Sequence, residues 1–272
     1  MRAEGLSART IEDRIGFVDR LQRGVGDILT ATRHDLIVWT AKHDWSNNTR
    51  IHYRSALHTF YTWLQDEGFR PDNPATRLPG CRGTKREPTP FTVAEIDQLM
   101  NSGIYAKTRA MIALHYYLGL RVSEIARVSG SDIDWDRRIL RTIGKGNKER
   151  DLPIPAHLWE ICQAMPCTGY WFPNAQENKY FKAGEGHILG RSVSDTIGDA
   201  IRRLGLKHRP HDLRASTATQ MHKAGVNAFT IQKGMRHSQM QTTTVYLEID
   251  VEVVRGGLDR LPQVTIPSKV KR

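Results

Sequence analysis

Between Arg70 and Pro90 the chain reads Arg-Pro-Asp-Asn-Pro, then Leu-Pro-Gly, then Lys-Arg-Glu-Pro-Thr-Pro, a density of proline, glycine and charge that resists regular structure. Each proline removes a backbone donor and fixes φ, so neither flanking element can extend through the break. The 272 residues also exceed what one core usually serves. The expected organisation is therefore a module over 1–78, a linker over 79–89 and a second module over 90–272.

The first module reads as helices. Ser7-Ala8-Arg9-Thr10-Ile11-Glu12 opens one with a hydroxyl able to cap free amides, and the run continues through Phe17 and Leu21. Asp35 to Trp39 predicts a second. A longer third covers Asn47 to Leu64, where Ile51, Ala56, Leu57, Phe60, Tyr61 and Leu64 recur at intervals that suit one apolar face, leaving Arg50, Arg54 and His58 to project elsewhere.

Beyond the linker, Thr92 followed three residues later by Glu95 is a capping-box pattern that starts a helix. Another helix spans Lys107 to Leu118 and stops at Gly119, and periodicity restarts over Ser123 to Val128, which places Arg121 at an interhelical corner. From Arg138 to Pro155 the pattern is strand, Gly144-Lys145-Gly146-Asn147 turn, strand, with Ile139, Leu140 and Ile143 before the turn and Leu152 and Ile154 after it. Helices follow at 192–204, 212–224, 228–233 and 242–246. A short one over 250–258 would put Val251, Val254 and Leu258 on one face. The expected class is mainly α with a small antiparallel β-sheet, an α+β arrangement.

Lys and Arg number 40 against 29 Asp and Glu, a net charge of +11 and a pI near 9.8, so a polyanionic partner is the simplest reading. The odd set Cys81, Cys162 and Cys167 has no zinc-like pairing and suits a reducing, intracellular setting. No stretch of about 18 to 20 apolar residues could span a bilayer, and neither a secretory signal nor a terminal lipidation motif is seen. No membrane association is expected.

Breaking DNA without a metal requires a nucleophile, donors for the charge that builds on the phosphoryl oxygens, and an acid for the departing 5′ oxygen. Tyr246 supplies a nucleophile nine residues after His237. Arginine suits the second task because its planar fork grips two oxygens and stays charged, as Arg121 and Arg214 would. His211 precedes Arg214 by three residues, so at the start of a helix the two share a face and can address one phosphate. The small residues Ala215 to Thr219 then permit close packing behind a site.

Arg121 in Gly-Leu-Arg-Val-Ser-Glu, Lys145 in Gly-Lys-Gly-Asn-Lys-Glu-Arg, His211 with Arg214, His237 and Tyr246 occur in an order and approximate spacing that resemble the tyrosine recombinase family, the phage integrases and their Xer-like and Cre-like relatives. The resemblance spans about Thr92 to Leu258. It implies a helical core-binding (SAM-like) DNA-binding domain over 1–78 and a catalytic domain over 90–272 with a C-terminal helix and tail.

The resemblance also assigns roles. Tyr246 would attack the scissile phosphate to form a 3′-phosphotyrosyl link, with no metal, ATP or other cofactor. Arg121 and Arg214 would bind the non-bridging oxygens, and Lys145 would protonate the leaving oxygen, although Lys148 in the same turn could also reach a phosphate. His211 would assist as general base or acid, His237 as a hydrogen-bond donor, and Glu124 would buttress Arg121. Where the family commonly has Gly before His237, this chain has Arg236.

Candidate DNA contacts are Arg50, Arg54, Arg82, Lys85, Arg191 and Arg202, with Arg203 beside the last. The implied partners are double-stranded attachment sites with core-type inverted repeats, without distant arm sites, a homotetramer on synapsed DNA and an accessory directionality factor. The implied setting is the nucleoid of a bacterial host's cytoplasm, and the source a phage or other mobile element. A type IB topoisomerase, which reseals the same strand, and a non-catalytic DNA-binding regulator of the same fold are the competing readings.

Overall fold

The computed structural model describes residues 6, 8–42, 44–84, 88–143 and 149–235. Ser7, Lys85, the turn at 144–148 with Lys145 and Lys148, and everything from Arg236 onward, including His237, Tyr246 and the helices expected at 242–246 and 250–258, lie outside the described residues. The chain separates into two compact units, Met1–Arg86 and Glu87–Arg272.

In the first unit, α1 (Ala8–Val25), α2 (Arg33–Ala41) and α3 (Asn47–Asp66) enclose Leu21, Leu36, Trp39, Leu57, Tyr61 and Leu64. Local sequence starts two of them. The Thr32 hydroxyl accepts from the Asp35 amide and the Asp35 carboxylate accepts from the Thr32 amide at 2.8 Å, a reciprocal cap for α2, while Ser46 caps α3 through the Thr49 amide. Arg70 ties the far end together by donating to the carbonyls of Ile28 and Ala31 and lying 5.1 Å over the Tyr61 ring.

One helix-face expectation fails here: Ile51 is 40% exposed. It stands in the first turns of α3, ahead of the stripe Leu57, Tyr61 and Leu64 that meets the core, and against it comes Gly83 of the linker instead. That part of the linker is held down, with Asn47 and Asn48 donating to the carbonyls of Arg82 and Thr84.

The second unit is built around α5 (Ala106–Tyr117), whose Ala110 to His115 are all buried. A helix apolar on every side must be covered on every side, and α4 (Val93–Met100), α6 (Val122–Ile125), α7 (Ala156–Gln163), α8 (Gly190–Arg203) and α9 (Pro210–Lys223) all pack against it. The chain continues into α10 (Ala228–Met235). Thr92 and Glu95 form the expected capping box of α4.

The three-stranded antiparallel sheet has β1 (Ile133–Asp134) and β3 (Glu149–Pro153) flanking β2 (Ile139–Ile143). Leu140 faces both Ile133 and Leu152 across the ladders, and these three are buried, whereas Ile143 is exposed because alternation turns it to the other face. β1 and α7 were not anticipated from sequence. A two-residue strand leaves no period to read, and α7 buries only Leu158 and Cys162 along its length.

All three cysteines are unpaired, and burial pushes the Cys162 thiol up to about 12. No helix among the described residues is long and apolar enough to cross a membrane.

Candidate active site

The site is organised by the turn between α5 and α6. Gly119 stops α5 in a left-handed conformation, φ 57°, which favours glycine, and a Cβ there would stand 2.8 Å from the flexible end of the Met235 side chain. Two residues on, Arg121 occupies the N-cap position of α6 with extended backbone. Its amide donates to Glu124 Oε2 at 2.7 Å and its guanidinium to Oε1 at 3.1 Å. Glu124 is 6% exposed and Arg121 is half-buried, so the carboxylate works from inside against a cation that still reaches the surface.

Arg214 enters from α9. Pro210 occupies the first position of that helix, where its missing N–H costs nothing, and the Asp212 carboxylate accepts from the Arg209 amide at 2.8 Å to finish the start. Arg214 is 1% exposed, and its two terminal nitrogens donate to the carbonyls of Gly119 and Met235. A buried charge of this kind persists only when hydrogen-bonded. The same guanidinium therefore joins the α5–α6 turn, α9 and the end of α10.

Behind it the small residues do what their size suggested. Ala215, Ser216 and Ala218 are fully buried, and Ser216 accepts from the Phe91 amide while donating to the Asp212 carbonyl, both at 2.8 Å. Thr217 donates to the Tyr116 carbonyl at 2.5 Å, which fastens α9 to α5.

His211, one turn before Arg214, reaches solvent. Desolvation of its ring nevertheless holds its pKa below the ordinary histidine value, with Arg214 and then Arg121 acting in the same sense and Asp212 opposing. A neutral imidazole beside two arginines is able to accept a proton near neutral pH.

Arg121, Glu124, His211 and Arg214 thus converge around one turn, while Lys145, His237 and Tyr246 lie outside the described residues. The arginines expected at DNA are dispersed. Arg191 and Arg202 are exposed on α8, paired within the helix to Asp195 at 3.7 Å and to Asp199 respectively. Arg54 and Arg82 are exposed in the first unit, and Arg50 is half-buried there with its Nε donating to the Trp45 carbonyl. Lys85 lies outside the described residues.

Sequence reasoning missed two groups in the second unit. His115, 1% exposed, places Nδ1 2.5 Å from the Leu120 carbonyl, and a lone histidine in the apolar run Ala-Met-Ile-Ala-Leu-His was its only signal. Gly190 lets the start of α8 close on α6, since a Cβ there would sit 3.0 Å from the Ser123 backbone.

The second unit is helical with a small sheet and carries two arginines, a carboxylate and a histidine around one turn. The sequence model of the phage integrase family matches residues 90–252. A tyrosine recombinase XerC from Chlamydia pneumoniae is 30% identical over 209 residues, covering 73% of this chain and 67% of that protein. Its counterpart from Chromobacterium violaceum is 32% identical over 206 residues, covering 73% and 68%.

Among solved structures, the integrase from mycobacterium phage Brujita is 32% identical, covers 98% of this chain and 91% of its own, and superposes with a TM-score of 0.53. A lambda integrase dimer bound to a COC' core site, at 15% identity, 92% and 94% coverage and a TM-score of 0.70, shares the fold. The chain belongs to the phage integrase family. It is a tyrosine recombinase, an enzyme of site-specific DNA recombination.

Proposed function

We propose that this protein cleaves and rejoins double-stranded DNA through Tyr246. The Tyr246 oxygen attacks the scissile phosphorus and forms a 3′-phosphotyrosyl ester as the bond to the 5′ oxygen breaks. That oxygen leaves as a hydroxyl, with its proton supplied by Lys145, and later attacks the phosphotyrosyl link of a partner strand to restore a phosphodiester. Because one ester replaces another, no ATP is consumed, and no metal is needed when arginines hold the phosphoryl oxygens.

The observation that carries this reading is the convergence of Arg121, Glu124, His211 and Arg214 at the Gly119 turn. Arg121 and Arg214 bind the non-bridging oxygens, Glu124 aims Arg121, and His211 accepts or returns the tyrosine proton. His237 adds a hydrogen bond to the phosphate. The net charge of +11 favours a polyanionic partner.

In this reading residues 1–78 form a core-binding domain that, over the linker 79–89, helps the catalytic domain 90–272 grip an inverted-repeat core site. Arg50, Arg54, Arg82, Lys85, Arg191 and Arg202 contact that DNA. Four protomers act on synapsed DNA in the cytoplasm of a bacterial host, on behalf of a phage or other mobile element, and an accessory factor sets direction.

The test is incubation with a nicked suicide duplex carrying a site selected by binding to this protein, followed by denaturing electrophoresis. A covalent adduct that survives chelation and vanishes in Tyr246→Phe is expected. An adduct retained by Tyr246→Phe refutes the nucleophile, and relaxation of supercoils without exchange between two sites would move the protein to topoisomerase chemistry.

A further inference from the structure

His115 has no part in the chemistry above, yet it lies behind the site's principal turn. A carbonyl oxygen only accepts, so the 2.5 Å contact to Leu120 requires the proton on Nδ1. Nε2 is then the unprotonated nitrogen, and it is buried without a hydrogen-bond partner among the described residues. Burial lowers the pKa of the ring to about 4 against the upward pull of the Leu120 carbonyl, while His211 and Arg214 add smaller lowering contributions and the Pro210 carbonyl a smaller raising one. The imidazole stays neutral, with one tautomer set by one bond.

That bond falls on a particular peptide. The carbonyl of Leu120 and the amide of Arg121 belong to the same planar unit. Its oxygen is held by His115 from α5, and its N–H is held by Glu124 Oε2 at 2.7 Å from α6. On the preceding peptide, the Gly119 carbonyl is held by Arg214 from α9. Three elements thus grip two consecutive peptide planes at the point where the chain delivers Arg121.

We infer that His115 is a positioning residue for the recombination site: its Nδ1–H fixes the Leu120–Arg121 peptide plane and so the direction in which the Arg121 guanidinium is presented to the scissile phosphate. The inference rests on the role given to Arg121 in the proposed function. Leucine at 115 would fill comparable space but leave the Leu120 carbonyl without its donor, and the plane would be held from one end only. Misplacement by about 1 Å of a group that must meet a transition state can cost about 100-fold in rate.

The histidine's two nitrogens make the test selective. An asparagine amide nitrogen stands close to where Nδ1 stands, whereas a glutamine amide nitrogen stands nearer to Nε2. Full-length His115→Leu, His115→Asn and His115→Gln proteins are compared in single-turnover cleavage of the suicide duplex, alongside DNA affinity and thermal melting. Cleavage about 10- to 100-fold slower is expected for His115→Leu and His115→Gln, with His115→Asn within a few-fold of the parent and DNA affinity unchanged in all three.

Introduced into Arg121→Lys, His115→Leu should slow cleavage much less than it does in the parent, because the group it positions is already altered. Parental cleavage by His115→Leu, or equal slowing by the asparagine and glutamine variants, overturns the inference. If His115→Leu does not fold, the asparagine and glutamine pair decides alone. If Arg121→Ala cleaves like the parent, the site reading itself has failed; if Arg121→Ala is inactive while His115→Leu is normal, only the positioning role has.

Discussion

Arg214→Lys is the substitution that most sharply separates charge from geometry in this site. The guanidinium is 1% exposed and serves the carbonyls of Gly119 and Met235 from two different nitrogens while, in the proposed mechanism, presenting N–H groups to a phosphate. Lysine keeps the charge but gathers its three donors on one atom, and it cannot span the same fork. At least one carbonyl loses its partner inside the protein, a loss worth about 1–3 kcal/mol of stability.

Withdrawal of a single charge-assisted bond from the transition state, at about 2 kcal/mol, corresponds to roughly 30-fold in cleavage rate. Urea unfolding gives the first quantity. Single-turnover adduct formation at saturating DNA, at a temperature where the variant is folded, gives the second. A lysine variant that matches the parent in both would refute the argument that the fork, rather than the charge, is what α9 contributes.

The buried state of His115 predicts a pH dependence. Its folded pKa of about 4 lies below the unfolded value of 6.5, so the unfolded chain binds the proton more readily. Stability from this group is complete above pH 6.5 and is lost as the pH falls toward 4, by about 3 kcal/mol at about 1.4 kcal/mol per pKa unit. The difference in urea stability between parent and His115→Leu should shrink across that window and stay constant above it; a difference independent of pH is the contrary result. Ser216→Ala should strand the Phe91 amide, costing about 1–3 kcal/mol and accelerating hydrogen exchange at that amide, whereas unchanged exchange would show that the bond holds nothing. Gly190→Ala sets a Cβ 3.0 Å from the Ser123 backbone next to the turn that holds Glu124, so about 1–3 kcal/mol of stability and part of the cleavage rate should be lost together. Undiminished cleavage by that variant would mean that the approach of α8 to α6 does not set the site.

Several elements were legible because their signals are local. Thr92 with Glu95 named the start of α4 and Gly119 the end of α5, each through a backbone requirement met within a few residues. The alternation around 139–154 marked two strands, but the third, β1, exists only because Ile133 and Asp134 meet Leu140 and Ile139 across a ladder. Ile51 was placed on the apolar face because its spacing allowed it; where α3 meets its core decided otherwise.

The site divides in the same way. Residue type and order pointed to Arg121, Glu124, His211 and Arg214, since guanidinium, carboxylate and imidazole chemistry is carried by the residues themselves. Tertiary structure decided that Arg214 is buried against two carbonyls, that Arg121 keeps a half-open side, and that His211 is held toward its neutral form. Burial and carbonyl direction depend on how elements meet: Gly119 is met by Arg214 from 95 residues away, and Leu120 by a histidine on the preceding helix. Sequence alone therefore determined the kind of chemistry this chain is equipped for, and only packing, which sets dielectric and hydrogen-bond geometry, decided how each of those groups is poised.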